Sequence, residues 1–274
     1  MFRALIALLM LLPFAAHAAE PVWEERADWA AEFSARESTG TLLIFDEAAN
    51  RYLVHDRKRA ETPYIPASTF KIFNALAGLD TGAVKDEYDV TRWDGVKRGP
   101  AWDRDTDLAA GMRFSTVWFY QAMARRIGEA RMREWIEKAD YGNRDIGGAI
   151  DRFWLDGKLR ISAVQQIEFL RRLADGALPF SARAQETVRR ITIVDSGPTY
   201  VLHGKTGWRS IKGDASDLGW FVGWVESGGK RAFFALNMDM PSASIDGTIA
   251  KHAPKREALV RAVLTKLGAL PAKT

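Results

Sequence analysis

The chain has 274 residues with 39 basic and 35 acidic side chains (net charge +4), 47% hydrophobic residues and ten tryptophans, the profile of a well-filled globular protein and not of a disordered one. It contains no cysteine, which excludes disulfides, a thiol nucleophile and cysteine-ligated metals. Its basic residues fall in short scattered clusters (Arg57-Lys58-Arg59, Arg125-Arg126, Arg171-Arg172) typical of solvated helix faces, without a basic stripe interleaved with aromatics, so nucleic acid is not an expected partner.

Residues 1–18 read as a cleavable secretory signal. Arg3 supplies the positive end, Ala4 to Leu12 form a nine-residue apolar run, and Ala16-His17-Ala18 has the small-x-small cleavage pattern. The run is too short to span a bilayer, and no later stretch is long and apolar enough, so a soluble periplasmic protein is expected. The remainder carries 38 basic and 35 acidic side chains, a net charge of +3. Its length suits one catalytic domain over residues 19–274. Three histidines remain in it (His55, His203, His252), far apart and without metal-ligand spacing, so no metal is expected.

Helical periodicity runs from Trp23 to Arg36. Thr41–Asp46 and Arg51–His55 are β-branched and apolar runs parted by Glu47-Ala48-Ala49-Asn50, a hairpin pattern. From Ser68 to about Arg190 the pattern is helical, clearest over Ser115–Ile127 and over Ser162–Ala174, the latter opened by a Ser162-x-x-Gln165 capping box. Strand character returns at Tyr200–His203, Gly219–Val225 and Ala232–Met238. A last helix is expected from Pro254 to Leu267. The order predicts an α+β fold: an antiparallel five- to seven-stranded sheet flanked by terminal helices, with an all-helical lobe at approximately 65–190 inserted in it and a cleft at the lobe boundary.

The chemistry centres on Ile65-Pro66-Ala67-Ser68-Thr69-Phe70-Lys71. On a helix Ser68 and Lys71 share one face, placing a hydroxyl beside an amine, a nucleophile with its proton acceptor. Pro66 suits the start of such a helix, and Ser68 in the first turn lies among unpaired N–H groups. Ser-x-x-Lys is common by chance, and a serine there is more often a cap. The apolar neighbours Phe70, Ile72 and Phe73 disfavour a charged Lys71, and a neutral amine can act as base or take up carbon dioxide as a carbamate.

Three further triplets follow. Ser115-Thr116-Val117 opens a helix, where Ser115 is a cap or a second hydroxyl in the cleft. Tyr141-Gly142-Asn143 alone means a turn. Lys205-Thr206-Gly207 follows a strand and is flanked by glycines that permit close approach of a ligand or backbone. Each is weak alone, but their order and spacing are specific.

The set Pro66-Ala67-Ser68-Thr69-Phe70-Lys71, Trp93-Asp94-Gly95, Ser115-Thr116-Val117, Tyr141-Gly142-Asn143, Phe153-Trp154-Leu155-Asp156-Gly157, Lys205-Thr206-Gly207-Trp208 and Gly223-Trp224-Val225-Glu226 resembles the class D (oxacillinase-type) serine β-lactamases of the penicillin-recognising serine enzymes. Val117, where class A relatives and many penicillin-binding proteins have asparagine, favours class D. The resemblance implies a β-lactamase/transpeptidase-like fold and hydrolysis of penicillin-type antibiotics through a serine acyl-enzyme. Ser68 would be the nucleophile. Lys71, carboxylated on Nζ by carbon dioxide or bicarbonate, would be the general base, with no other cofactor. Ser115 would relay a proton to the ring nitrogen. Lys205, Thr206 and Arg256 would hold the substrate carboxylate, and the N–H groups of Ser68 and Trp208 would form the oxyanion hole. Trp154 would donate its indole N–H to the carbamate, with Val117 and Leu155 as walls, although a tryptophan is ordinarily plain core. Tyr141 and Asn143 would brace the cleft. The expected partner is a small β-lactam substrate, the expected assembly a monomer or homodimer, and the expected consequence antibiotic resistance. The competing readings are a penicillin sensor acylated without turnover, which would sit behind membrane spans, and a cell-wall peptidase.

Overall fold

The structure is a computed structural model that describes residues 19–210, 216–242 and 249–271; the expected signal segment lies outside them. Seven strands form one sheet in the order β1-β3-β2-β7-β6-β5-β4. They are β1 (Val22–Glu25), β2 (Thr39–Asp46), β3 (Arg51–His55), β4 (Ile193–Gly197), β5 (Tyr200–Arg209), β6 (Ser216–Ser227) and β7 (Lys230–Pro241). Strands β2 and β3 form the expected hairpin, with Ile44 opposite Leu53. Strand β2 also pairs antiparallel with β7, which joins the two ends of the chain in one sheet.

Alternation along the strands decides what each face of the sheet buries. Leu43, Phe45, Val222, Trp224, Phe233 and Ala235 face a core built with the helices of the middle of the chain. Their neighbours Leu42, Ile44, Phe221, Phe234 and Leu236 face a second core with Trp29, Phe33 and the C-terminal helix, through Leu259, Val260, Val263 and Leu264. Each such side chain contributes about 1.5–3 kcal/mol relative to exposure.

Between β3 and β4 lie α2 (Arg57–Glu61), α3 (Lys71–Asp80), α4 (Leu108–Arg113), α5 (Val117–Ile127), α6 (Glu129–Ala139), α7 (Ala163–Ala174) and α8 (Ala182–Ile191); α1 (Ala30–Ser34) precedes the hairpin and α9 (Ile249–Lys266) follows β7. Helix α7 opens with the expected capping box, Ser162 and Gln165 bonding reciprocally. The inserted section is less helical than its pattern. Residues 81–107 and 140–162 are turns and loops, pinned by isolated bridges between Thr91 and Thr106 and between Tyr64 and Ile161.

Several expectations are corrected. Residues 22–25 are a strand and not the start of a helix, because they pair with β3 and Trp23 stacks on Tyr52 with ring centroids 4.5 Å apart. That pairing is parallel, so the sheet is mixed at this edge and not wholly antiparallel. Strand β4 was hidden because its residues are polar or exposed and it pairs only with β5. Pro254 lies inside α9 and not at its start.

Candidate active site

The segment around Ser68 begins with a 3-10 turn, Ala67–Phe70, and becomes α-helical only at Lys71. This differs from the α-helical first turn expected, and it has a consequence. A 3-10 turn has three residues per turn, so side chains three apart eclipse. Lys71 Nζ accordingly lies 2.5 Å from Ser68 Oγ. The turn is tied on every side. Ala67 N donates to the Trp154 carbonyl at 3.0 Å, the Trp220 indole donates to the Ile65 carbonyl at 2.9 Å, and Thr69 Oγ1 donates to the Pro66 carbonyl at 2.8 Å. Gln166 Nε2 in turn donates to Thr69 Oγ1 at 2.8 Å. These ties hold Ala67 at a φ of 49°, a left-handed value that costs a non-glycine residue about 1–3 kcal/mol and persists only where the surroundings impose it.

Lys71 has no exposed surface. Burial, and secondarily the charge of Lys205, pull its pKa well below that of an ordinary lysine, which favours the uncharged amine. Trp154 is also fully buried, its ring stacked on Phe70 at 5.2 Å, and its indole N–H has no hydrogen-bond partner among the described residues. The Tyr120 ring centroid lies 5.5 Å from Lys71 Nζ. Val117 opens α5 and is half-buried, as is Leu155, which packs on the helical core.

Ser115 reaches the same place from the other side. Its hydroxyl oxygen lies 3.2 Å from Lys71 Nζ and 2.9 Å from Lys205 Nζ. It is not the cap of α5; Thr116 holds that position, and Ser115 sits before it at a φ of 55°. The flanking backbone is fixed by Thr116 N donating to the Gly111 carbonyl at 3.0 Å and by the Trp102 indole donating to the Phe114 carbonyl at 3.0 Å.

Strand β5 supplies the third side. Lys205 is 4% exposed, and burial with the nearby Arg256 lowers its pKa to about 7. Thr206 beside it is half-buried. Gly207 lets the strand approach the Ser68 turn, since a Cβ there would stand 3.1 Å from the Pro66 carbonyl oxygen and 3.2 Å from Thr69 Cγ2. The Trp208 indole donates to Asp217 at 2.7 Å. Arg256 comes from α9: its guanidinium donates to the Gly207 carbonyl and lies 5.1 Å from the Trp208 ring centroid. Burial lowers its pKa to about 10.

Ser68, Lys71, Ser115 and Lys205 thus form one connected cluster, with Arg256 joined to it through Gly207 and Trp154 joined through its backbone to Ala67. Of Tyr141-Gly142-Asn143, Tyr141 packs beneath the Ser68 turn, its ring centroid 5.6 Å from that of Phe70, while Asn143 braces the following loop: Asn143 N donates to the Arg160 carbonyl at 2.8 Å and its side-chain amide to the Lys158 carbonyl at 3.0 Å. Thr69, Gln166, Trp102 and Tyr120 are parts of the site that the sequence reading did not single out. Thr69 lies inside the Ser-x-x-Lys motif and Gln166 beside the capping box; Trp102 and Tyr120 carry no such signal. A hydroxyl 2.5 Å from a dry amine, with a second hydroxyl bridging to a second amine, is equipped to take a proton from a nucleophile and return one to a leaving group.

Comparison with known proteins agrees in kind. The penicillin binding protein transpeptidase domain family matches residues 37–264. The chain is 43% identical to Beta-lactamase OXA-2 of Salmonella typhimurium, over 98% of its length and 94% of that protein's. It is 43% identical to Beta-lactamase OXA-48 of Klebsiella pneumoniae, over 86% and 88% respectively. Among solved structures it is similar to FUS-1 (OXA-85), a class D β-lactamase from Fusobacterium nucleatum subsp. polymorphum, with a TM-score of 0.84 and 36% identity over 90% of this chain and 100% of that one. A class D β-lactamase from Nostoc superposes with a TM-score of 0.82 at 41% identity, covering 88% and 99%.

Proposed function

The chain belongs to the class D β-lactamases, which hydrolyse β-lactams through a serine, and from that premise we propose how its own residues divide the work. Ser68 is the nucleophile, Lys71 the general base after carboxylation on Nζ, and Ser115 the proton relay. Lys205, Thr206 and Arg256 bind the substrate carboxylate. The observation that carries this reading is the presence at one site of a fully buried Lys71, whose charged form burial disfavours, and a fully buried Trp154 indole without a hydrogen-bond partner among the described residues. A buried donor left unpaired costs about 1–3 kcal/mol, and a carboxylate on the neighbouring lysine would satisfy it.

The residues fit that group. Carbon dioxide adds only to an uncharged amine, and burial supplies one; the carboxylate it leaves acts as a base near neutral pH. Trp154 Nε1 would hold it, with Val117 and Leu155 excluding water. In acylation the Ser68 oxygen attacks the lactam carbonyl while its proton leaves toward the Lys71 side chain, 2.5 Å away. The N–H groups of Ser68 and Trp208 would receive the developing oxyanion, an arrangement supported by the close approach at Gly207. Ser115 hands a proton to the departing ring nitrogen and is recharged through its contact with Lys205 at 2.9 Å or with Lys71. Deacylation needs a base beside the ester to activate water, and the Lys71 side chain occupies that position.

Secretion to the periplasm through the segment 1–18, a single catalytic domain over 19–274 and a resistance phenotype complete the proposal; among the described residues no helix is long and apolar enough to cross a membrane. The test is Lys71→Ala with mass spectrometry and a chromogenic cephalosporin. The variant is expected to fold, to acylate Ser68 far more slowly than the wild type, and to retain the adduct it forms without steady-state turnover. Normal steady-state turnover by that variant would remove Lys71 from the mechanism.

A further inference from the structure

Past Lys205 and Thr206 the surface stays open. A groove of about 660 Å3 begins at these two side chains and runs outward between α4 and the sheet edge, with Met112 and Arg113 on one wall and Ile193 and Val194 on the other. Its volume lies in the range of sites for drug-sized ligands, roughly 300–1,000 Å3. On its sheet wall Ile193 and Val194 are 44% and 46% exposed, followed by Asp195 and Ser196.

The charges in the groove are unequally engaged. Glu87 is paired with Arg190, while Asp195 and Glu257 both bind Arg261 at 2.7 Å. Arg113 is exposed and has no carboxylate within ion-pair distance among the described residues; its guanidinium lies over the edge of Phe114, 5.7 Å from the ring centroid. It stands two residues before Ser115, at the end of the groove where Lys205 and Thr206 begin. A cation on the wall of such a groove, without a carboxylate partner, attracts an anion and repels a cation.

We propose that this groove is a subsite for the substituent a β-lactam carries next to its ring carboxylate, on the side away from the acyl chain, and that Arg113 makes the subsite prefer anionic substituents. The inference rests on the assignment of Lys205 and Thr206 to the substrate carboxylate, because a carboxylate held there directs the adjacent substituent along the groove. The apolar walls accept the body of the group, and Arg113 sorts it by charge.

The experiment uses three cephalosporins with one acyl side chain and a 3-substituent bearing a carboxylate, no charge or a quaternary ammonium, with benzylpenicillin as a substrate carrying nothing comparable. Values of kcat/KM are measured for the wild type, Arg113→Ala and Arg113→Glu. The wild type is expected to favour the anionic over the cationic compound, and the ratio to fall about two- to five-fold in Arg113→Ala, the size of an exposed charge pair. It should fall further in Arg113→Glu, and the wild-type preference should shrink with added salt. A second variant, Ile193→Trp, is expected to raise KM for all three cephalosporins regardless of charge. Charge ratios identical in all three Arg113 forms, with benzylpenicillin still hydrolysed by the wild type, would overturn the subsite. Failure of the wild type to hydrolyse benzylpenicillin would instead overturn the reading of the catalytic site.

Discussion

Replacing Trp154 by phenylalanine separates the indole N–H from the ring. The phenylalanine keeps an aromatic face against Phe70, where the present rings are 5.2 Å apart at 26°. It forfeits volume, and the resulting gap costs about 1–2 kcal/mol of stability. What it removes from function is one hydrogen bond to a buried carboxylate. Bonds to charged groups are worth about 1.5–3 kcal/mol, so the affinity of Lys71 for carbon dioxide should fall about 10- to 150-fold. Tyr120 does not replace it: its ring centroid lies 5.5 Å from Lys71 Nζ, and its hydroxyl contacts Met112 Sδ at 3.9 Å. The assay is steady-state hydrolysis against bicarbonate concentration, with the carbamate carbon followed by 13C NMR after labelling with 13C-bicarbonate. A thermal melt confirms that the variant is folded at the assay temperature. The midpoint for bicarbonate should move upward by the stated factor while saturating bicarbonate restores most of the rate. An unmoved midpoint in a folded variant would refute the argument and return Trp154 to the core.

Three other outcomes follow from the same geometry. Ser115→Ala removes the hydroxyl between the two amines and should lower kcat/KM about 100- to 10,000-fold, as loss of a proton relay does, while the 13C carbamate signal persists; stopped-flow acylation rates check it. The free enzyme loses the Lys205 charge as pH rises through about 7, so KM for anionic β-lactams should climb above that pH in a pH–rate profile. Because that value is below the unfolded 10.5, the unfolded chain binds the proton over a window in which the folded one does not; stability contributed at this position therefore rises from pH 7 to 10.5, and Lys205→Met should flatten that rise in pH-dependent denaturant titrations. Gly207→Ala puts a methyl group 3.1 Å from the Pro66 carbonyl oxygen and from Trp220 Cβ, so β5 must back away from the nucleophile turn; acylation should slow about 10- to 1,000-fold with little change in the melt, measured by burst kinetics.

The parts of this fold that were legible in the sequence are those where local pattern and tertiary outcome agree. The β2–β3 hairpin carries alternating apolar residues with a polar turn between them, and the capping box of α7 is written in two residues. The strands β5 to β7 were found but cut short; the missed end of β5 is buried or half-buried, but its glycines, Lys205 and Thr206 carry no apolar alternation. Strand β1 was read as helix because the helical spacing of Trp29, Ala30 and Phe33 was extended back to Trp23; the choice was made by pairing to β3, which no window around residue 23 contains. The loops at 81–107 and 140–162 keep enough apolar residues to look helical because they bury side chains such as Val84, Phe153 and Trp154 without regular backbone. At the site the motifs located Ser68, Lys71, Ser115 and Lys205, but not the geometry that makes them a unit. Nothing in the spelling of Ser-x-x-Lys says 3-10 and not α, or that Ala67 and Ser115 adopt positive φ. Those features come from ties reaching 87 residues along the chain, as from Trp154 to Ala67, and farther, as from Gln166 to Thr69.

The two lysines explain why one site can hold a base and an anion receptor together. Their ammonium nitrogens touch the same Ser115 oxygen, at 3.2 and 2.9 Å, and so are no more than about 6 Å apart. Two positive charges at that distance repel by about 3 kcal/mol at an effective dielectric constant of roughly 20. One proton is therefore shed, and burial decides which. Lys71 has no exposed surface, whereas Lys205 stands on a strand that lines an open groove and donates to the Thr206 carbonyl at 3.0 Å. Below about pH 7 the charge is carried by Lys205, where a substrate carboxylate will raise its proton affinity further, and burial favours the uncharged form of the amine beside Ser68. An added carboxylate on Lys71 would reverse the sign of the interaction and draw the Lys205 charge toward Ser115, holding the relay hydroxyl between base and cation.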